Sequence, residues 1–228
     1  TKNPEEKPYF LTNQSAGSFN TFKHSFEAGT GKFLNNLLSV SARYSIINSD
    51  GYIDRAFSKL NSYNINALFE KGNTKLRFLT FGGKEKTYQA WNGIDKATYE
   101  SNPKFNYSGA IYDANWENII GFYDNETDNY RQNHYHLLWE QKLGKIWNLE
   151  TTFHLTHGEG YYENYKQDAK FSKYDLPNIV ENGNTITRTD FIRKKWLDND
   201  FYGVVSNLYG NFENVNLNFG VTANQYFG

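Results

Sequence analysis

Alternation of apolar and polar residues, repeated along the chain, is the feature that most constrains its fold. In six segments nearly every second side chain is apolar, and the side chains between them belong mostly to Ser, Asn, Arg, Glu or His. These segments are residues 38–46, 63–69, 135–139, 149–155, 202–208 and 217–223. Because successive side chains of a β-strand point to opposite faces, the pattern predicts strands with one apolar and one polar face.

We predict nine strands from this alternation and from the turn residues between them. Their bounds are residues 9–15, 19–30, 37–47, 62–70, 75–81, 132–141, 147–157, 201–209 and 215–226. Three links are long, at 48–61, 82–131 and 158–200, and loops longer than about 15 residues are uncommon in compact soluble domains. Short turns on one side and long loops on the other are typical of an antiparallel transmembrane β-barrel. A soluble β-sandwich with one buried face gives the same alternation and remains the alternative.

Composition agrees with a barrel but does not require one. The mean hydropathy is −0.77, and no stretch approaches the roughly 18 apolar residues of a membrane-spanning helix. A spanning strand needs only about 10 residues, of which every second is apolar, so a polar average is compatible with a membrane wall. Phe, Tyr and Trp make up 18% of the residues, which suits both interfacial aromatic girdles and ligand-binding loops.

Charge and composition argue against several classes of function. The net charge is −1 and no basic cluster stands out, so we expect no nucleic-acid partner. The chain has no cysteine, which excludes disulfides, thiolate metal sites and a cysteine nucleophile. No serine lies in a Gly-x-Ser-x-Gly elbow, so we expect no catalytic residue and predict a protein that is not an enzyme. Because two strands can bring carboxylates together without leaving a sequence pattern, an outer-membrane enzyme stays as a separate alternative.

Two groups of side chains have the composition of metal ligands, and we predict that neither binds a metal ion. The first group is His134, His136, His154 and His157, which are all the histidines of the chain except His24. His134 and His136 share a strand face, but imidazoles are ordinary water-facing groups on a lumen wall. Asp124, Glu126 and Asp128 alternate like the oxygen ligands of a calcium loop, without its glycine and closing glutamate. We interpret this stretch as a solvated loop and expect neither a metal nor a cofactor.

Aromatic residues set among Asn, Asp and Lys give the longest loop the composition of a binding surface, because rings supply rigid contact area and polar groups lie between them. Packing of loop against loop above a barrel mouth is the alternative explanation. The predicted ligand-binding residues, all in or beside the long loops, are Tyr88, Gln89, Trp91, Asn92, Tyr161 and Tyr162.

Six motifs in the same order resemble the barrel region of TonB-dependent outer-membrane receptors, especially the iron-related receptors of Bacteroidetes type. The motifs are GSFNT at 17–21, SDGYIDR at 49–55, GKEKTYQAWNG at 83–93, YDNETDNY at 123–130, GEGYYE at 158–163 and RKKWLDNDFYG at 193–203. They extend through almost the whole chain.

The resemblance implies a 22-stranded multi-pass barrel in the outer membrane of a Gram-negative cell, with short periplasmic turns and long extracellular loops. Residues 1–228 would form the first part of this barrel, without the plug domain and the C-terminal strands. The implied function is active import of a scarce nutrient, most simply a ferric siderophore. Energy would come from a TonB–ExbB–ExbD complex acting through the plug, and the other partners would be outer-membrane lipid and a small-molecule ligand such as an iron chelate. A secreted β-sandwich that binds glycans is the alternative function.

The polar face of the predicted wall would contact the plug. The residues expected to pair with it are Arg43, Asn64, Asn66, Arg77, Glu140 and Glu150. Burying such groups without a partner would be costly.

Overall fold

A computed structural model describes residues 3–228 and shows an all-β protein. The strands are β1 (Pro8–Gly17), β2 (Thr21–Phe33), β3 (Leu38–Ser49), β4 (Ser58–Lys71), β5 (Thr74–Tyr88), β6 (Ala110–Tyr112), β7 (Ile119–Phe122), β8 (Thr127–Leu143), β9 (Trp147–Lys170), β10 (Ile179–Glu181), β11 (Asn184–Ile186), β12 (Arg188–Asn211) and β13 (Asn216–Phe227). One short helix, α1 (Lys96–Ser101), and a 3-10 turn at Phe171–Tyr174 lie in the loops.

Nine of the strands form a single antiparallel sheet in the order β1-β2-β3-β4-β5-β8-β9-β12-β13. This confirms the predicted fold class and all nine predicted strands. The remaining strands form two small hairpins, β6 with β7 and β10 with β11. Within residues 3–228 no helix is long and apolar enough to cross a membrane.

The strands are longer on one side than the sequence predicts. Strands β9 and β12 have 24 residues each, more than twice the roughly 9–11 residues that span a bilayer. The long connections therefore shrink to 50–57, 89–126 and 171–187, and the predicted bounds 82–131 and 158–200 are wrong. We call the end of the sheet that carries these connections the long-loop side. The connections at 34–37, 72–73, 144–146 and 212–215 form the short-turn side.

Register aligns the apolar residues of neighbouring strands into continuous rows. In one row Ala67 faces Phe78, Phe78 faces Leu137, and the row continues through Phe153 and Val204. Directly opposite side chains in such pairs are about 4.5–5.5 Å apart and contact each other. The apolar residues of the predicted strands therefore share one continuous face of the sheet, which we call the apolar face.

The apolar face has no second layer over it in the part of the chain that the structure describes. We call its exposed large side chains the apolar belt: Phe22, Phe26, Tyr44, Ile65, Phe78, Tyr135, Leu137, Trp139, Phe153, Leu155, Tyr202, Phe219 and Val221. The buried hydrophobic side chains of residues 3–228 are only Leu68, Leu79, Tyr88 and Phe171. A β-sandwich would cover this face with a second sheet, and the observed single sheet argues against that alternative.

The opposite face, which we call the polar face, satisfies many of its polar groups within the wall. Lys75 Nζ lies 3.6 Å from Glu140 Oε2, and Asn148 donates a hydrogen bond to Glu150. The segment that precedes β1 crosses this face, where Asn3 accepts a hydrogen bond from Arg77. Glu140, Glu150 and Arg77, which were predicted to pair with a plug, thus have partners within residues 3–228, whereas contact with a plug stays a prediction.

Replacing a residue of the apolar belt by a charge should be far more costly than the same change on the adjacent polar face. Phe153→Arg places a guanidinium among the exposed rings of the belt, and an arginine on the lipid face of a barrel costs about 2–4 kcal/mol near the bilayer centre. We expect this loss in the free energy of folding into lipid vesicles, measured by urea titration.

Thr152→Arg is the matched control, since Thr152 precedes Phe153 on β9 and therefore points to the polar face. Its folding free energy should change by less than about 1 kcal/mol. Equal losses for the two variants would contradict the assignment of faces.

Candidate ligand-binding site on the long-loop side

Five buried polar residues join the loops to the strand ends, and we call them the loop hub. They are Gln89, Asn106, Glu126, Glu163 and Asn164. Gln89 Nε2 donates to the carbonyl oxygens of Thr127 at 3.2 Å and Glu163 at 2.9 Å. Asn106 Nδ2 donates to the carbonyl oxygen of Gln89 at 2.9 Å and to that of Asp54 at 3.1 Å. The connections 50–57 and 89–126 are thereby fixed to each other and to β9.

Glu126 is a structural acceptor in this hub. One of its carboxylate oxygens accepts a hydrogen bond from Asn164 Nδ2 at 2.8 Å, and the other accepts one from the backbone N–H of Tyr165 at 2.8 Å. The side chain is buried. The interpretation of residues 124–129 as a solvated loop is therefore wrong for Glu126, whose burial depends on a strand extension that sequence patterns did not predict.

Glu163 accepts several hydrogen bonds in the same hub. The Tyr123 hydroxyl and Asn125 Nδ2 each donate to Oε1 at 2.5 Å, and Lys194 Nζ lies 3.3 Å from Oε2. Burial disfavours the carboxylate, but the donors from Tyr123, Asn125 and Lys194 outweigh it and hold the pKa of Glu163 below its ordinary value. Burial and the hydrogen bond to Glu163 raise the pKa of Tyr123 to about 12.

Two of the six predicted ligand residues are internal parts of this assembly. Tyr88 and Gln89 are each 4% exposed. The Tyr88 hydroxyl lies 2.7 Å from the carbonyl oxygen of Tyr123 and 3.0 Å from that of Ser108. Arg55 stacks its guanidinium 3.5 Å from the centroid of Phe122 and donates to the Asn106 carbonyl. Tyr88 and Gln89 therefore hold the loop in place.

Three other predicted ligand residues lie at the rim of the loop region. Trp91 is 59% exposed, and its ring packs edge to face on Tyr162 at 5.7 Å between centroids. Asn92 follows it and is also exposed. Lys195 Nζ lies 5.6 Å from the centroid of the Tyr162 ring, close enough for a cation–π contact. The structure thus brings the rings of Trp91 and Tyr162 into contact and places Lys195 beside the Tyr162 ring.

Tyr161 lies on the other face of the sheet. It directly precedes Tyr162 on β9 and faces Trp196 on β12, with 4.6 Å between the two ring centroids. Lys194 Nζ lies 4.7 Å from the centroid of Tyr161. Because adjacent strand residues point to opposite faces, Tyr161 and Tyr162 do not line one surface.

Cations gather on the polar face beside Tyr162. Lys195 faces Tyr162, Arg193 faces Asn164, and Lys166 follows two residues after Asn164 on β9. Arg193 Nη2 donates to Asn164 Oδ1 at 2.7 Å, while its buried Nε has no partner. Burial and the positive charge of Arg193 lower the pKa of Lys166. We call Lys166, Arg193 and Lys195 the basic strip; it is suited to binding an anion beside two aromatic rings.

The sequence does not predict the basic strip, because it predicts a loop over residues 158–200. Arg193, Lys194 and Lys195 are three consecutive cations, so the local sequence shows no alternation of apolar and polar residues that would indicate a strand. Lys166 joins them only through pairing of β9 with β12, which no local pattern shows.

The histidines of the polar face form a row of ring contacts with each other and with two phenylalanines. His134 stacks on Phe81 at 4.4 Å, His136 lies 6.4 Å from His154, and His154 lies 5.0 Å from Phe201, all between ring centroids. Within residues 3–228 no group of three or more His, Asp or Glu side chains is arranged to hold a metal ion.

Comparison with known proteins finds solved structures that have a similar fold. No protein-family model matches the sequence. No curated protein sequence matches it. Among solved structures, the ferric-catecholate import receptor Fiu from E. coli K12 matches in its closed form with a TM-score of 0.65 and 12% identity, over 99% of this chain and 32% of that chain. The fold of this chain is therefore that of part of an antiparallel outer-membrane-type β-barrel wall. This confirms the fold implied by the resemblance to TonB-dependent receptors.

Two further solved structures match over the same share of this chain. The open form of Fiu gives a TM-score of 0.66 at 12% identity, over 99% of this chain and 35% of that chain. BauA, the ferric preacinetobactin receptor from Acinetobacter baumannii, gives 0.63 at 11% identity, over 99% and 31%. This chain thus spans about a third of the length of the solved receptors it matches.

Substituting Glu163 should loosen the long loop without unfolding the sheet. In Glu163→Gln the charge-assisted hydrogen bonds and the ion pair with Lys194 are lost, which should cost about 1–2 kcal/mol locally. We expect amide hydrogen-exchange protection of residues 105–127 to fall about tenfold at pH 7. Glu159→Gln is the control, because Glu159 is a more exposed carboxylate on the same strand and outside the hub.

The same contacts predict a pH window for loop protection. The lowered pKa of Glu163 means that its contribution is present above the ordinary value of 4.5 and is lost as the pH falls through the folded-state pKa. The raised pKa of Tyr123 means that its contribution is present below 10.0 and is lost as the pH rises toward about 12. Protection factors corrected for intrinsic exchange should fall at both ends, and Glu163→Gln should abolish the acid limb.

Proposed function

We propose that the chain forms part of the wall of an outer-membrane receptor that imports a nutrient. The observation that carries this proposal is the apolar belt, which lies on one face of a single sheet while the other face is polar. Lipid is the solvent that suits such a face, and in lipid every backbone N–H and C=O must be paired within the protein. An antiparallel wall of tilted strands meets this requirement.

The wall would continue beyond the sheet that residues 3–228 form. In that sheet β1 and β13 are each paired on one side only, and unpaired edges do not persist in hydrocarbon. We propose that both edges pair with further strands of a barrel of about 22 strands, closed inside by a plug domain. Import, and the energy that a TonB–ExbB–ExbD complex would deliver through the plug, would then be properties of the larger protein. We propose no catalytic activity.

The ligand that fits the long-loop side is an anionic iron chelate. Trp91 and Tyr162 provide ring area, and Lys195 and Arg193 provide positive charge on the same face. A ferric complex of catecholate type combines aromatic rings with negative charge, so stacking and ion pairing would act together. Within the predicted set, the proposed contacts are Trp91, Asn92 and Tyr162, while Tyr88 and Gln89 position the loop.

The first test is the dependence of the intact protein on detergent. If the apolar belt faces lipid, β-structure measured by far-UV circular dichroism and a single gel-filtration peak should both require micelles. A protein that is folded and monodisperse in plain buffer would contradict the membrane assignment. The secreted glycan-binding β-sandwich would then be the favoured alternative.

The second test concerns the ligand residues. Tyr162→Ala and Trp91→Ala should each weaken binding of a ferric catecholate complex about tenfold, since a well-packed aromatic contact contributes at least about 1–2 kcal/mol. Titration by tryptophan fluorescence, or by calorimetry for Trp91→Ala, gives the affinities in micelles.

Tyr161→Ala is the matched control for Tyr162→Ala, because the two tyrosines are adjacent on β9 and point to opposite faces. It should leave the affinity within about twofold, a change of roughly 0.4 kcal/mol. Equal effects at positions 161 and 162 would refute the polar-face site.

A further inference from the structure

Four cations form a second positively charged surface, this time on the apolar-face side of the strands. They are Lys59 on β4, Lys84 and Lys86 on β5, and Arg131 on β8, and we call them the outer basic patch. Lys59 faces Lys86, and Lys84 faces Arg131. The register between these strands has no irregularity, so all four side chains share the parity of the apolar belt.

The outer basic patch begins where the apolar belt ends. On β4 the positions of this face run from Ile65 and Tyr63 to Asn61 and then Lys59. The same order holds on the next two strands: Phe78, Thr80 and Gly82 precede Lys84 on β5, and Leu137, Tyr135 and Asn133 precede Arg131 on β8, counted toward the long-loop side. If the belt lies in hydrocarbon, the cations lie at the level of the lipid headgroups.

Internal carboxylates leave most of this charge uncompensated. Arg131 is paired with Glu159, but the ion pairs of residues 3–228 include none for Lys59, Lys84 or Lys86. Lys86 Nζ donates to the neutral Asn125 Oδ1 at 2.7 Å. Lys59 Nζ lies 5.5 Å from the centroid of the Phe57 ring. Like charges on facing strand positions repel each other, so an external anion would stabilise this arrangement.

The outer basic patch ends at β8, because acidic residues follow on β9 and β12. Continuing the rows from β8 to β12, the same face carries Glu159, Asp198 and Asp200. His157 Nδ1 lies 2.8 Å from Asp200 Oδ1. An anion would therefore be attracted to β4, β5 and β8 and repelled from the acidic stretch beside them, which limits the site to one part of the wall.

We propose that the outer basic patch binds the phosphorylated headgroup of an outer-leaflet glycolipid. This inference rests on the proposed membrane-embedded function and adds a specific lipid partner. Lysine ammonium groups and the planar Arg131 guanidinium are the usual protein ligands of phosphate. The acyl chains of the same lipid would lie along Tyr63 and along Phe78 and Tyr135 of the belt, so that one molecule satisfies both the charge and the apolar surface.

The experiment compares the affinity of the intact protein in non-ionic micelles for three probes: bisphosphorylated lipid A, dephosphorylated lipid A and inorganic phosphate. The test variant is the triple substitution Lys59→Gln, Lys84→Gln and Lys86→Gln, which keeps the Arg131–Glu159 pair. Lys71→Gln, Lys142→Gln and Lys145→Gln together remove the same charge from the short-turn side and form the control. Native mass spectrometry reports the bound lipid.

We expect the wild-type protein to bind bisphosphorylated lipid A roughly 100-fold more tightly than the test variant does, since each lysine near a membrane surface contributes about a fivefold effect. The control should bind like wild type. Dephosphorylated lipid A should bind wild type and the test variant equally weakly. Inorganic phosphate should compete only at far higher concentration, because it lacks the acyl chains that pack on the belt.

Three results would overturn the inference. Unchanged lipid A affinity in the test variant would show that the patch is not the site, while a detergent-requiring fold would leave the proposed receptor function standing. Competition by inorganic phosphate at the concentration of lipid A would reduce the patch to a simple anion site. A protein that is folded and monodisperse without detergent would overturn both the lipid site and the proposed function.

Discussion

Hydrogen bonding between neighbouring antiparallel strands is the constraint on which the rest of this structure depends. The register runs from β3 through β4, β5 and β8 to β9 without an irregularity. A slip of one residue anywhere in this series would exchange the two faces of a strand. The uninterrupted register is what keeps the apolar belt continuous on one side and the polar residues continuous on the other.

Strands β9 and β12 extend beyond the belt on the long-loop side, and the loops pack on these extensions. The extension of β9 places Glu163 and Asn164 against the connection 89–126, where each buried polar atom needs a partner. Gln89 donates to the Glu163 carbonyl oxygen, Glu126 accepts from the Asn164 side chain, and Asn106 donates to the Gln89 carbonyl oxygen, so the loop is held by side-chain hydrogen bonds. A loop ordered in this way holds Trp91 beside Tyr162, so the ligand binding that we propose would require little further ordering of the loop.

The same alternation that separates the apolar face from the polar face also separates two kinds of charged surface. On the polar face, Arg193 and Lys195 lie beside aromatic rings, which suits an anionic ligand. On the other face, Lys59, Lys84 and Lys86 lie directly beyond the belt, which suits a lipid phosphate. The net charge of −1 gives no sign of either surface, because acidic residues elsewhere in the chain balance their positive charge. Each surface is also assembled from more than one strand.

The sequence by itself determined that nine strands form and which face each side chain of their predicted parts occupies, because period-two alternation is a local property of the backbone. It did not determine how far β9 and β12 extend. It also determined the tight turns: Gly72 and Gly144 adopt positive φ angles that other residues rarely take. Only the tertiary structure decided which residues meet across strands. Tyr88 and Gln89 look like ligand contacts in a loop but are buried, and Glu126 looks solvated but accepts two hydrogen bonds. Both basic surfaces depend on pairing between strands, and cross-strand neighbours leave no periodic pattern in a single sequence.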